Sequence, residues 1–376
     1  MKISEIRLYH LEAMLPEPIG NALVSFPKRE TLLVEVVAGD LSGWGEAWLS
    51  PLTAAAVIEI QLAKHVLGRD PRHALSIWRD MRRGTEGDTA ATGIAAIDMA
   101  LHDLAARAHG VPLSTLLGGA KRDRVPAYAS GPFFKPGGHP YRDFEREIAG
   151  YLKDGFRAIK LRIGHGVEDD VKIILQTRKA IGDERDLMVD FNQSCSIRRA
   201  IATIERVSDA RLLWVEEPTR PDDIAGYGVA AGHLTPAIAG GETFTKAATF
   251  LPLLSKGSLD VLQPDLAICC GFSGVQQVQA LAEIHERPLI PHVWGSTINF
   301  HAALQLTATL PAHRGGGHAS FPFMEYDVGP NPLLDLCGRP ALDGDGCVVV
   351  PDGNGIGISP TKEQLQPFIR MHRSIR

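Results

Sequence analysis

The sequence predicts an α+β domain at the N-terminus followed by a parallel α/β barrel. Two observations carry this expectation. Over residues 1–125, strand-like segments come first and helical segments follow, the order of an α+β domain. Beyond them, short apolar strands alternate with amphipathic helical runs. A polar residue closes nearly every strand: Asp190, Glu216, Glu242, Asp265, His292 and Glu325. The first five stand 23 to 27 residues apart, the length of one βα unit in a parallel barrel.

The elements follow in order. "SEIRLYHLE" reads as an edge strand, and "RETLLVEVVAGDLSGWGEAWL" as a hairpin turning near Gly39 and Asp40. Between them "PEPIGNALVSFPK" reads as a loop with exposed apolar residues. Helices are expected in "PLTAAAVIEIQLAKHVLG" and "TAATGIAAIDMALHDLAARAHG", the second stopping at Gly110 with Pro112 just beyond. Barrel strands are expected in "AIKLRIG", "DLMVDFNQ", "LLWVEEP", "AIAGGE", "VLQPDLA", "PLIPHVWG" and "FPFMEYD", with helices such as "VEDDVKIILQTRKAIG" and "FSGVQQVQALAEIHE" between them. "GDGCVVVPDGNGIGI" and a short helix are expected to return to the first domain. The glycine-bearing "RGGGHAS" and "DGDG" read as turns, not as ligand loops.

Composition narrows the function classes. The chain has 376 residues, 44% hydrophobic and 22% charged, with a formal net charge of -5. These values suit a globular enzyme. No Lys/Arg-rich run suggests a nucleic-acid partner, and no apolar run reaches the ~18 residues that span a bilayer. Charges throughout "MKISEIRLYHLE" argue against a signal peptide, so a cytoplasmic location is expected. Cys195, Cys269, Cys270, Cys337 and Cys347 are scattered without a C-x-x-C pair and read as reduced, packing thiols.

The strand ends carry the chemistry. Asp190, Glu216 and Glu242 would converge at one barrel rim, where three carboxylates repel unless a cation lies among them. Oxygen-only ligands favour a hard cation, Mg²⁺ first and Mn²⁺ as a substitute. Asp265 and His292 end adjacent strands and suit a carboxylate–imidazole dyad, the carboxylate fixing the tautomer of a general base. Glu325 is placed to meet a substrate oxygen. Lys160 and Arg162 lie two apart in "AIKLRIG" and so share a face. Their repulsion is compensated if both face the carboxylates and a bound anion.

Taken together, "KLR", "VDFNQ", "WVEEP", "AGGET", "LQPDLAICCGFS", "IPHVWG" and "MEYD" resemble, in order and spacing, the mandelate racemase group of the enolase superfamily. "AAIDMALHDLAARAHGVPLSTLLGG" is similar to the start of that family's barrel, and "PDGNGIGI" to its C-terminal return. "QPDLAICCGFS", "PHVWG" and "MEYDVGPNPL" look most like the acid-sugar branch. The resemblance implies a modified (β/α)7β TIM-type barrel (residues 126–335) under an α+β capping domain (1–125). Residues 336–376 would return to complete the cap. It implies Asp190, Glu216 and Glu242 as magnesium ligands, Asp265 and His292 as the dyad, and Glu325 facing the substrate. Asn192, Glu217, Trp294 and Phe272 would lie on or just behind the substrate, and the segment from Pro16 to Phe26 would be a mobile lid setting specificity. A small-molecule carboxylate, an acid sugar or its lactone, would be the partner, and the chain a homo-oligomer.

One departure shapes the expected reaction. Many relatives carry two lysines where this chain has Lys160 and Arg162, the second serving as a base. Arginine stays protonated and is a poor base. A single base, His292, fits abstraction of the proton α to a carboxylate followed by loss of a β-oxygen, with Lys160 assisting and Arg162 clamping the substrate. Dehydration is the leading expectation. Lactone cycloisomerisation or epimerisation is the alternative.

Overall fold

The computed structural model describes residues 1–85, 88–313 and 321–376, so "RGGGHAS" at 314–320 lies outside the described residues. Two sheets organise it. The first has the order β12-β1-β2-β3, antiparallel throughout: β1 (Glu5–Gly20), β2 (Ser25–Ala38), β3 (Leu41–Ala47) and, from the far end of the sequence, β12 (Ile369–Ile375). "SEIRLYHLE" is therefore not an edge strand: Ile6 pairs with Val36 on one side and Ile375 on the other. Its alternating apolar residues gave no hint of a partner so distant in sequence.

The expected loop at Pro16–Phe26 is also different. β1 and β2 continue past the sheet as a two-stranded arm, pairing Ile19 with Phe26 and Gly20 with Ser25 beyond a register shift. Leu15, Ile19 and Phe26 bury one face of this arm against Phe133 and Trp294, which makes strands of a segment whose prolines and glycine suggested a loop. A bridge between Gly20 and Phe134 fastens the arm to the barrel, with Gly20 N–H donating to Phe134 O at 2.8 Å and Phe134 N–H returning to Gly20 O at 2.9 Å.

The second sheet curls into the barrel. Its order is β10-β4-β5-β6-β7-β8-β9, all parallel: β4 (Arg124–Ser130), β5 (Ala158–Arg162), β6 (Asp186–Asp190), β7 (Trp214–Glu216), β8 (Ala237–Gly240), β9 (Val261–Leu262) and β10 (Met324–Asp327). β4, in "VPAYAS", escaped the strand reading; unlike most of the strands that follow, it ends on a serine and not on a charged residue. Residues 289–292 continue the sheet through the parallel bridges Leu262–Leu289 and Asp265–His292. β11 (Cys347–Val349) lies antiparallel to β4, so part of the expected return segment stays on the barrel. "DGDG" is the turn before it: Asp343 Oδ1 accepts the N–H groups of Asp345 and Cys347.

The period of two explains the barrel interior. Tyr128, Ala158, Met188, Trp214, Ala239, Val261, Ile290 and Phe323 form one buried apolar cluster drawn from every strand. Two residues further along, the inward positions become Ser130, Lys160, Asp190, Glu216, His292 and Glu325. Ile159, Leu161 and Val189 face outward into the core under the helices. An aromatic floor thus underlies a charged layer at the C-terminal mouth, where barrel chemistry sits. No described helix is long and apolar enough to cross a membrane.

The helix Ala91–His109 joins the two units. It packs on β3 so closely that a Cβ on Gly45 would lie 1.9 Å from Ala96 O, and one on Gly43 2.2 Å from Ala100 O. On its other side Asp98 accepts Ser273 N–H at 2.9 Å and the Ser273 hydroxyl at 2.7 Å, anchoring the barrel helix Gly271–Ile284. Gly45→Ala is expected to cost about 3 kcal/mol, the upper range for overpacking against groups that cannot rotate away. Urea unfolding measures it; an unchanged midpoint would mean the helix can shift outward freely.

Candidate active site

Adjacent strands deliver two of the acids in register: Arg162 pairs with Asp190, and Asp190 with Glu216. Glu242 follows β8 by two residues. One oxygen from each of Asp190, Glu216 and Glu242 lies within 4.8 Å of the others. Asp190 and Glu216 are fully enclosed, while the Glu242 side chain keeps 15% exposure toward the mouth. Burial pushes all three carboxyls above their usual range, with Lys160 pulling Asp190 and Glu216 back and neighbouring acids adding to the rise. Glu217, which turns behind the triad, rises well above its usual range for the same reason: burial first, then Glu242 and Asp190.

The backbone at this rim is unusual. Asn192, Gln193 and Glu217 have φ of 45°, 62° and 42°. Left-handed non-glycine residues are uncommon and gather at functional sites. The conformation lets Asn192 curl back on Asp190, donating its N–H to Oδ1 at 2.7 Å and its amide to Oδ2 at 2.8 Å. Asn192 Oδ1 and Glu217 Oε2 are buried with no hydrogen-bond partner among the described residues.

Lys160 holds the acids together. Its ammonium bonds Glu216 Oε1, lies 2.9 Å from Glu325 Oε1 and 3.7 Å from Asp190 Oδ2, and stands over the Tyr128 ring at 5.6 Å. Burial opposes its charge, but Glu216, Glu325 and Asp190 outweigh burial and raise its pKa well above the ordinary lysine value. Burial likewise opposes the Glu325 charge, yet Lys160 and His292 hold that carboxyl down at about 2. The other oxygen of Glu325 accepts Val293 N–H at 3.0 Å, spanning from β10 to the 289–292 strand. Trp214 Nε1 and Gln263 Nε2 donate to Glu216 Oε2 at 3.0 and 2.7 Å, fixing its rotamer.

His292 stands across the mouth. Its Nδ1 meets Asp265 Oδ2 at 2.7 Å, and its Nε2 lies 3.5 Å from Glu242 Oε2. Asp265 is saturated with donors: Ala267 N–H and Asn299 Nδ2 on Oδ1, Trp48 Nε1 on Oδ2 at 3.0 Å. So crowded a carboxylate stays an acceptor, His292 Nδ1 is the donor, and Nε2 is the atom left for proton exchange. Burial pushes the imidazole down, but Glu242, Glu325 and Asp265 overcome it and raise His292 to about 10 with no cation beside Glu242; a cation held by Glu242 would offset the largest of these contributions and favour the neutral imidazole that a base requires.

Trp48, Glu46 and Asn299 were not singled out from the sequence. Trp48 and Glu46 belong to the first domain, in "GWGEAW". Buried Glu46 accepts from Thr31 Oγ1, Ser296 N–H, Ser296 Oγ and Asn299 N–H at 2.6–2.8 Å, fixing the start of the helix Thr297–Thr307 that carries Asn299. Gly295 leaves room for this: a Cβ there would stand 2.4 Å from Glu46 Oε1. An acid following two alternate glycines, Gly43 and Gly45, in a mostly apolar strand was the available sequence signal.

Phe272 is not in the mouth. It is wholly buried on the helix Gly271–Ile284, with its ring 5.3 Å from His102 of the first domain, because Asp98 draws that helix start against the cap. Trp294 does line the mouth, between Phe26 at 5.4 Å, Phe133 at 5.8 Å and Trp48 at 6.5 Å. Arg162 is 5% exposed; among the described residues it makes one hydrogen bond, to Ser130 Oγ at 3.2 Å, and no ion pair. Its guanidinium stacks on Phe133 at 4.0 Å.

Residues 3–118 match the model of the mandelate racemase / muconate lactonizing enzyme N-terminal domain, and residues 143–364 that of the enolase C-terminal domain-like family. The chain is 36% identical to D-galactarolactone cycloisomerase from Agrobacterium fabrum, over 98% of this chain and 99% of that protein. It is 30% identical to D-gluconate dehydratase from Thermoproteus tenax, over 90% and 69%. An enolase-superfamily crystal structure from Polaromonas superposes with a TM-score of 0.90 at 30% identity, covering 99% of this chain and 98% of that one.

Lys160 is the charge the acids depend on. In a chelator, Lys160→Met is expected to lose about 3–5 kcal/mol of stability, the usual cost of stranding a buried charge. Denaturant titration checks this. Undiminished stability would mean that the acids are neutralised by their own protons.

Proposed function

The chain belongs to the mandelate racemase and muconate lactonizing enzyme group of the enolase superfamily, and from that premise we propose that it removes the proton α to the carboxylate of an acid sugar and expels a β-oxygen. The observation that carries this reading is the asymmetry of the mouth. His292, oriented by Asp265, stands on one side, and two basic side chains, Lys160 and Arg162, stand on the other. One base serves an elimination; two opposed bases serve racemisation.

Asp190, Glu216 and Glu242 would hold Mg²⁺, or Mn²⁺ in its place. The fit rests on the all-oxygen donor set and on carboxyls pushed upward by burial and by one another, which positive charge relieves. When bound, the ion supplies positive charge against the enediolate form of the substrate. Lys160 donates to the same developing charge, and Glu325 keeps Lys160 in place. His292 Nε2 takes the α-proton while Asp265 retains Nδ1–H and stabilises the imidazolium. Asn192 braces Asp190, and its free Oδ1 is available to a substrate hydroxyl. Trp294 and the β1–β2 arm exclude water above the reacting carbons.

For the leaving group we favour the ring oxygen of a lactone, ahead of the hydroxide that the sequence alone favoured. The support is the similarity along the whole chain to a lactone cycloisomerase. A lactone ring oxygen also departs as carboxylate and needs no proton. Dehydration is the second reading, supported by the relative named as a dehydratase.

Turnover of sugar-acid lactones, or of the free acids, is expected only with Mg²⁺ or Mn²⁺. Full activity in excess chelator would reject the metal role. His292→Asn is expected to lower kcat by about 10²- to 10⁴-fold, the range for a general base, while Mg²⁺ binding measured by calorimetry survives. Asp265→Asn should cost less, since it orients the base without taking the proton. Wild-type rates of α-deuterium exchange in His292→Asn would remove His292 from the mechanism.

A further inference from the structure

A second arginine, from the other domain, stands beside the mouth. Arg29 lies on β2 and is 3% exposed. Nη2 pairs with Asp327 at 2.9 Å, Nε donates to Pro330 O at 3.1 Å, and Nη1 is buried with no hydrogen-bond partner among the described residues. The guanidinium stacks on Trp294 at 4.0 Å and lies 5.7 Å from Phe133. Arg162 holds the complementary position, 4.0 Å from Phe133 and 6.0 Å from Trp294. Two guanidinium groups therefore share one aromatic pair, and Asp327 neutralises only one of them.

A buried donor without an acceptor costs about 1–3 kcal/mol, and more when charged. Of the two enclosed cations only Arg29 has an ion-paired acid among the described residues, Asp327; Asp190 acts on Arg162 without an ion pair, and the unpartnered Arg29 Nη1 is satisfied if an anion is part of the working state. Strand register locates that anion. Asp327 pairs with Ser130, Ser130 pairs with Lys160, and Arg162 lies two residues beyond Lys160. The arginine pair thus lies on the β10-β4-β5 side of the mouth, away from Glu242.

We propose that Arg29 and Arg162 form a second anion subsite, which takes the distal carboxylate of a dicarboxylic sugar, so that aldaric acids and their lactones are preferred over aldonic acids. This rests on the elimination reading and specifies its substrate. It also gives the subsite a part in ring opening. As His292 takes the α-proton, the C–H electron pair becomes the new C=C bond. The pair of the breaking Cβ–O bond goes to the ring oxygen, and the acyl group that carried it becomes a carboxylate. When that acyl group is the distal carbon, the new charge arises beside the arginines.

The test compares ligands that differ only at the terminal carbon: galactarate with galactonate, and glucarate with gluconate. Binding to Mg²⁺-loaded His292→Asn protein is followed by calorimetry, and kcat/KM by wild-type turnover of the same pairs and of the lactones. In at least one series the diacid is expected to bind at least tenfold more tightly. Arg29→Lys, which keeps a cation for Asp327 but loses the second arm, should bring that ratio close to one, with the change in KM exceeding that in kcat. Equal binding of diacid and monoacid in both series, or an undiminished ratio in folded Arg29→Lys, overturns the subsite. A diacid preference with no α-proton exchange on any sugar acid overturns the reaction reading and leaves the subsite standing.

Discussion

Everything at the barrel mouth depends on keeping five acids, Asp190, Glu216, Glu217, Glu242 and Glu325, in one water-poor space. Like charges so close cannot all ionise without compensation. The protein meets this in graded fashion. Lys160 lies deepest and bonds two of the acids, His292 lies shallower beside Glu242, and the proposed divalent ion would add its charge at the triad. The aromatic floor of Tyr128, Trp214 and Phe323 makes Lys160 effective, because it excludes the water that would otherwise screen the charge. Catalytic geometry and electrostatic stability have the same cause here.

The second organising feature is that the cap reaches into the chemistry from several directions. Trp48 holds Asp265, Glu46 holds the helix bearing Asn299, and Arg29 holds Asp327. None is a contact between exposed surfaces, and each ends on a strand end or helix start of the barrel. Substitutions in the cap would therefore act on the proposed proton transfer without touching substrate, and a shift of the cap would move Asp265 and its partner His292 together with Arg29.

Much of this site is legible in the sequence because a barrel strand is a simple device. A short apolar run that ends in one polar residue fixes both the depth and the direction of that residue, and four successive repeats of similar length place five such ends on a ring. What escaped is where no such rule operates. Arg29 sits on a first-domain strand among ordinary alternating residues, and only the folded arm brings it to Trp294. Phe272 follows a strand-end motif and looked like a mouth residue, yet its helix begins under the pull of Asp98 from the cap. β1 looked like an edge because its partner lies at residues 369–375. The arm looked like a loop because the residues that cover it, Phe133 and Trp294 among them, are remote in sequence.

The pairing of Ile6 with Ile375 has a consequence for how the molecule comes into being. During synthesis the first three strands and the cap helices emerge well before the barrel, but their sheet lacks β12 until residues 369–375 have followed the barrel. Until then β1 offers an unpaired row of backbone groups flanked by Leu8 and Leu11, an invitation to intermolecular pairing. Contacts this remote in sequence also form slowly. The cap is first in order of translation and last in order of completion, so the barrel is able to consolidate before the surface that encloses its mouth is finished.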